Sequence, residues 1–403
     1  MKKITITLVV MALAISCKNN QTNNQTDMGS DEAVVLENPD KLVDIFLDDK
    51  TTPLFDTLRL GELIASVKYI PLEMTKQSYL GTVMDIHSNN DHYYISHGTS
   101  LGSARMLAFD NEGKYLYDIY AIGRGHNEIM IPLDRFYNDS KNKIGIASSG
   151  GEILIVDELT HKSKKKRFEE LDFPFRPRSL KNGGYVGIPY DYTIDNKGPF
   201  MIIYDSLFNV VNTISDDRNR KHRNIEGVTT SPMLKRILSQ SGEKVLYKDM
   251  DNDTVFSVNE DGSLVPSIVI EIPKKLKPTL RESEVDTKKK KRDKIYLDDI
   301  FMTKDYVVIS YYFQDLKFTG FWSKITGKLV YRSASFFGMY PFCYEFNNIK
   351  GQSEYNNLNV KSNKILTTIP SSIMKHEIEG LKDDDNPVLV EITLVDAKTV
   401  DHE

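Results

Sequence analysis

A strand–turn–strand unit recurs down most of this chain. An apolar run ends in an aromatic residue or Val, a short polar turn follows, and a second run begins. The turns read Phe109-Asp110-Asn111-Glu112-Gly113-Lys114, Val156-Asp157-Glu158, Tyr204-Asp205-Ser206, Val258-Asn259-Glu260-Asp261-Gly262 and Trp322-Ser323-Lys324, the last running on to Thr326-Gly327-Lys328. Their anchors, at positions 109, 156, 204, 258 and 322, lie 47, 48, 54 and 64 residues apart. A repeat of about 45–50 residues with about four short strands per unit is the signature of a β-propeller, one blade per repeat. Asn, Asp and Gly fit these turns because they tolerate positive φ.

The strands sort into six blades. Blade 1 is expected over 81–122, blade 2 from Arg135, blade 3 from Arg178, blade 4 from Met233 and blade 5 from Asp299. Blade 6 shows only three strands near the C-terminus: 357–360, 365–368 and 388–395. The stretch from Ser371 to Leu381 reads as a helix capped by Ser371, with Ile373, Ile378 and Leu381 on one face. The missing fourth strand is Val67-Lys68-Tyr69-Ile70-Pro71-Leu72, which belongs to no other blade. The expected fold is therefore all-β, a six-bladed β-propeller whose last blade is closed by an N-terminal strand. Such closure ties the termini together and removes exposed edges.

The N-terminus carries an address. Met1-Lys2-Lys3 precedes an apolar stretch from Ile4 to Ile15, too short for a bilayer span and of signal-peptide length. It ends in Ala14-Ile15-Ser16-Cys17, which resembles a bacterial lipobox, with Ala14 where Leu is usual. That resemblance implies acylation at Cys17. The alternative is an ordinary secretory signal with a chance cysteine. The polar run from Lys18 to Thr26 has no hydrophobic residue and reads as a flexible tether. The expected organisation is a signal peptide at 1–16, a tether at 17–44 and the propeller at 45–403. Lys18 in place of Asp argues by resemblance against retention in the inner membrane. The absence of an acidic cluster after Cys17 favours the periplasmic face of the outer membrane over surface display.

Composition narrows the partners. The net charge of −5 argues against nucleic acid. The basic runs Lys162-Ser163-Lys164-Lys165-Lys166-Arg167 and 288–292 interrupt the repeat and read as solvated loops. With Cys17 acylated, the second of the two cysteines, Cys343, has no partner for a disulfide.

Four segments carry a family resemblance: 67–73, the turn at Phe109 to Lys114, Ile122-Gly123-Arg124-Gly125, and Asn386-Pro387-Val388-Leu389-Val390. Together they resemble the six-bladed β-propeller lipoproteins of anaerobic gut bacteria, relatives of NHL- and TolB-type propellers, over roughly residues 45–396. Members of that family resemble components encoded beside glycan-uptake systems. The resemblance implies a glycan or an envelope protein as partner, by analogy only.

Local motifs give a candidate site. Arg124, His126 and Glu128, with Arg178, Tyr190 and Asp191, flank inner-strand positions, where inter-blade loops surround the channel. The competing reading of Gly123-Arg124-Gly125 is a plain inter-blade turn. The aromatic residues near Tyr185, Tyr311 and Phe336 are expected to pack between blades, and alternatively to stack on sugars. Of the eight histidines, His87, His92 and His97 crowd one hairpin, yet no metal-ligand spacing is present. Neither a nucleophile elbow nor a phosphate loop occurs. No cofactor is expected. The reading is a non-enzymatic binding or scaffold module of the cell envelope. The alternative is a propeller hydrolase or lyase with a metal in its channel. Replacing the acceptor, Cys17→Ala, should move the protein from the membrane to the soluble fraction. Retention after a high-salt wash would contradict the lipid anchor.

Overall fold

The computed structural model describes residues 42–47, 63–98, 104–125, 128–168, 173–189, 200–214, 236–249, 252–278, 293–314, 316–336, 343–346, 349–352, 359–361 and 363–396. They form the expected six-bladed β-propeller. From inner to outer strand, blade 1 runs Val83–Ser88, His92–His97, Arg105–Asp110 and Tyr115–Ile122, with the two-residue strand Glu128–Ile129 parallel on its outer edge. Blade 2 runs Pro132–Asn138, Lys143–Ser148, Glu152–Asp157 and Ser163–Arg167. Blade 3 runs Pro174–Ser179, Tyr185–Pro189, Met201–Tyr204 and Val210–Ile214. Blade 4 runs Arg236–Ser241, Lys244–Asp249, Thr254–Val258 and Leu264–Glu271. Blade 5 runs Tyr296–Met302, Tyr306–Phe313, Leu316–Ser323 and Leu329–Phe336. Blade 6 runs Asn359–Lys361, Lys364–Ile369, Val388–Leu394 and, on the outside, Ile64–Pro71.

Both faces of a propeller blade must be apolar, because each sheet is sandwiched between two others. The described core obeys this. It falls into six apolar clusters, one at each blade–blade interface. In blade 1, neighbouring residues face opposite ways. Tyr93 packs toward blade 6 and Tyr94 toward blade 2. Closure of the ring is the antiparallel pairing of Ile64–Pro71 with Val388–Leu394, in which Tyr69 opposes Val390 and Ile70 opposes Leu389. Leu366 and Leu389 then meet the blade 1 residues Val83, Ile86 and Leu107 across the seam.

Three features differ from the sequence expectation. First, Val43–Phe46 adds a fifth strand to blade 4, parallel to Leu264–Glu271. The strand starts two residues inside the expected tether at 17–44, and Val43, Ile45 and Leu47 alternate with exposed residues and are buried between blades 4 and 5. Burying each such side chain contributes about 1.5–3 kcal/mol, which is enough to dock a short strand. Second, the basic run is no loop. Ser163–Arg167 is the outer strand of blade 2, paired from Val156↔Ser163 to Glu152↔Arg167. Lysines suit an edge strand, where they remain solvated and discourage pairing with other chains. The run at 288–292 lies outside the described residues. Third, the helix is a single turn, Ser371–Met374. Ser371 does not cap it; its hydroxyl donates to the carbonyls of Asp383 and Asp385, at 3.0 and 2.9 Å. Ser371 and Met374 are the buried residues of that turn, and Ile373 is 47% exposed.

Candidate functional site

The inner strands of successive blades pack side by side around the axis, and charged residues sit in them. Blade 1 supplies Asp85, blade 2 Asp134, Arg135 and Tyr137, blade 3 Arg176 and Arg178, blade 4 Ser239, and blade 5 Asp298 and Asp299. Most follow a local irregularity. The register slips between Val83 and Asp85, between Pro132 and Asp134, between Phe175 and Arg178, and between Leu297 and Asp299. A bulge of this kind re-aims a side chain. In blade 3 it puts Arg176, a non-glycine residue, at φ 51°. Such backbone is strained by about 1–3 kcal/mol and concentrates at functional sites.

Arg178 is the hub. Its Nη1 donates to Asp134 Oδ2 at 2.6 Å and to the Pro177 carbonyl at 2.8 Å, and its Nε to the Leu238 carbonyl at 3.1 Å. Burial opposes its charge, but Asp134, Asp299 and Asp85 more than offset this and hold the guanidinium firmly protonated. The Tyr137 hydroxyl donates to Asp85 Oδ2 at 2.7 Å. Burial, then Asp85, pushes that phenol well above its ordinary value. Arg135 donates to the Tyr120 hydroxyl at 3.1 Å, while its buried Nε has no partner among the described residues. Ser239 donates to Asp299, whose carboxyl is raised by burial against the lowering effect of that bond. Below this cluster a cleft of about 200 Å³ opens between the inner-strand ends of blades 2, 3 and 4, bordered by Tyr137, Ser179 and Gln240. The arrangement gathers donors and acceptors of both charge signs on the inner strands, a set suited to holding a polar ligand.

The sequence-derived site residues fall in different places. Arg178 lines the channel. Arg124 is exposed in the turn between blades 1 and 2. Glu128 holds that turn together: its Oε2 accepts from Gly125 N at 2.7 Å and fills the space a Cβ on Gly123 would need. His126, Tyr190 and Asp191 lie outside the described residues. Sequence reasoning missed Asp85, Asp134, Arg135, Tyr137 and Asp299. The signal was present: Asp85-Ile86, Asp134-Arg135-Phe136 and Asp299-Ile300 repeat an acid ahead of an apolar residue in the inner strands. Of the aromatic residues, Tyr185 stacks on Phe208 at 4.1 Å and Tyr311 on Phe318 at 5.1 Å, both within the blade packing.

Residues 45–393 match the family described as Domain of unknown function (DUF4934). The chain belongs to this family. A crystal structure of a protein described as exported, from Bacteroides fragilis, has a similar fold, with a TM-score of 0.64 at 13% identity over 88% of this chain and 100% of that one. A member of the duf4221 family from Bacteroides vulgatus gives a TM-score of 0.49 at 9% identity, over 83% of this chain and 97% of that one. No curated protein matches the sequence.

The three hairpin histidines of this DUF4934 domain point to separate partners. His87 Nε2 meets Asp139 Oδ1 at 2.8 Å, and its ring stacks on Tyr137 at 3.5 Å. His92 lies 3.4 Å from the Tyr94 hydroxyl. His97 is buried, and its Nδ1 accepts from Gly81 N at 3.0 Å. Burial lowers the His97 pKa from 6.5 to about 4, with Arg105 adding to the shift and Asp118 opposing it. The unfolded chain therefore takes up a proton near pH 6.5 and the folded chain only near pH 4. Stability is complete above about pH 6.5 and declines as pH falls toward 4, by about 3 kcal/mol for this group. Urea denaturation across this range should show that loss. His97→Gln, which keeps an acceptor for Gly81 N, should flatten the curve. An equal slope in the variant would contradict the assignment.

Proposed function

We propose that this protein is an exported, lipid-anchored propeller of the cell envelope that binds a polar ligand in its axial channel. The observation that carries the reading is the convergence of Asp85, Asp134, Arg135, Arg178 and Asp299 on that channel from the inner strands of blades 1, 2, 3 and 5. Charged groups are costly to gather where apolar packing would serve, so a cluster drawn from four blades argues for recognition. His126, Tyr190 and Asp191 belong to this reading as ligand contacts from the inter-blade loops. Arg124 and Glu128 do not: their turn lies on the outer edge of blade 1, where Glu128–Ile129 pairs with the outer strand Tyr115–Ile122 and Lys165 of the outer strand of blade 2 donates to the Gly125 carbonyl at 2.9 Å. A glycan or an envelope protein is the partner class. The anchor is acylated Cys17, facing the periplasm from the outer membrane, in keeping with the exported Bacteroides relative. Kinship with NHL- and TolB-type propellers is part of the same reading.

The test is capture. A panel of envelope glycans and an envelope extract are offered to the Cys17→Ala protein and to the same protein with Arg178→Met and Asp134→Leu. Replacing both charges avoids leaving either buried alone. The retained ligand should lose at least about tenfold in affinity, which is 1.4 kcal/mol or more. Undiminished binding by a folded variant would move the site out of the channel. Turnover of a captured glycan would instead favour the propeller hydrolase or lyase.

A further inference from the structure

A second cavity lies away from the axis. It is a groove of about 400 Å³ at the seam where the N-terminal strand closes the ring. Small-molecule sites span about 300–1,000 Å³. Its wall comes from three distant segments: Lys68 on the closing strand, the blade 1 turns with Asn90 and Asn111, and Lys364 and Glu391 of blade 6. The Glu391 carboxylate is already satisfied. It accepts from Lys364 Nζ at 2.8 Å and from the buried Tyr93 hydroxyl at 3.2 Å. Lys68 is different. Its Nζ donates to the Asn111 carbonyl at 2.9 Å, and among the described residues no carboxylate lies within ion-pair distance of it.

The remaining hydrogen-bonding capacity can be counted. An ammonium carries three donors, so Lys68 and Lys364 each have two to spare. The Asn90 side chain bonds no described residue, and Asn111 uses its amide nitrogen on the Asn90 carbonyl at 3.1 Å, leaving its Oδ1 open. The groove thus presents one uncompensated positive charge, a surplus of donors, and planar amides beside them. Amides and ammonium groups of this kind bond neighbouring hydroxyls, and the lone charge selects an anion. We infer that this groove binds a short saccharide carrying an anionic substituent, a carboxylate or a sulfate, seated on Lys68. Such a ligand touches the closing strand, blade 6 and blade 1 together, so it clamps the seam and stabilises the folded ring by mass action. This site is separate from the channel and does not depend on the channel reading.

The test uses the full mature chain with Cys17→Ala and four probes: a galacturonic acid trisaccharide, a sulfated N-acetylglucosamine disaccharide, and the uncharged parent of each. Binding is followed by calorimetry and by the melting temperature. One anionic probe should bind, raise the melting temperature, and weaken as salt rises; which of the two binds identifies the substituent. Lys68→Met, at an exposed position, gives up the bond to the Asn111 carbonyl and should lower the unliganded melting temperature slightly; it should also reduce affinity at least about tenfold and abolish the ligand-induced rise in melting temperature. Binding of neither anionic probe, equal binding of the uncharged parents, or equal binding by Lys68→Met would each overturn the inference.

Discussion

The structure depends on a clasp repeated between blades. The turn between the third and outer strands of one blade docks on the outer strand of the blade before it. At the seam, Lys68 of the closing strand bonds the Asn111 carbonyl, and Glu73 N bonds the Gly113 carbonyl at 2.8 Å. Lys166 of blade 2 bonds the Leu207 and Phe208 carbonyls of blade 3 at 3.1 and 2.6 Å. Asn212 of blade 3 bonds the Asp261 carbonyl of blade 4 at 3.0 Å. Tyr117 of blade 1 meets His161 of blade 2 edge-on at 4.0 Å. Between blades 4 and 5, Gly327 packs on the Asp44 carbonyl of the added strand. The recurring turn in the sequence is therefore more than a hairpin signal: its glycine is a point of contact in blades 1, 4 and 5, and His161 and Phe208 hold the positive-φ position in the turns of blades 2 and 3.

The clasp explains why the N-terminal arm binds twice. Blade 5 offers blade 4 a turn with Gly327, and the parallel strand Val43–Phe46 on blade 4 supplies the surface for it. Blade 6 lacks an outer strand of its own, and Ile64–Pro71 supplies one. Each docking buries alternate apolar residues and fills a missing partner. With the periphery fixed this way, the inner strands are free to carry bulges, and the bulges turn Asp85, Asp134, Arg178 and Asp299 toward the axis. Fold and channel chemistry are thus coupled: the rigid rim stabilises the strained centre.

Much of this was legible in the sequence. Period, turns and β-branched runs set the blade number, and the orphan strand 67–72 identified the closure. What escaped was context. The lysine run at 163–167 has loop composition, and only pairing with 152–157 makes it a strand. Ser371 has the form of a cap, but its hydroxyl is claimed by carbonyls a dozen residues on. Val43, Ile45 and Leu47 alternate too briefly to identify an added strand without the interface that receives them. The channel residues escaped because attention went to loops, while the charges lie within strands. Only Arg178 was both singled out and found in the channel wall.

The clasp itself can be tested with two glycines. Gly113 and Gly380 share almost the same positive φ, 85° and 83°. A Cβ on Gly113 would lie 2.2 Å from the Pro71 carbonyl oxygen, whereas one on Gly380 would meet nothing within 4 Å. Alanine at either position incurs the same left-handed strain, about 1 kcal/mol. The difference between them isolates the inter-blade contact. Chemical denaturation of Gly113→Ala and Gly380→Ala should show the former destabilised by at least about 1–2 kcal/mol more. Equal destabilisation would contradict a ring held together by its turns.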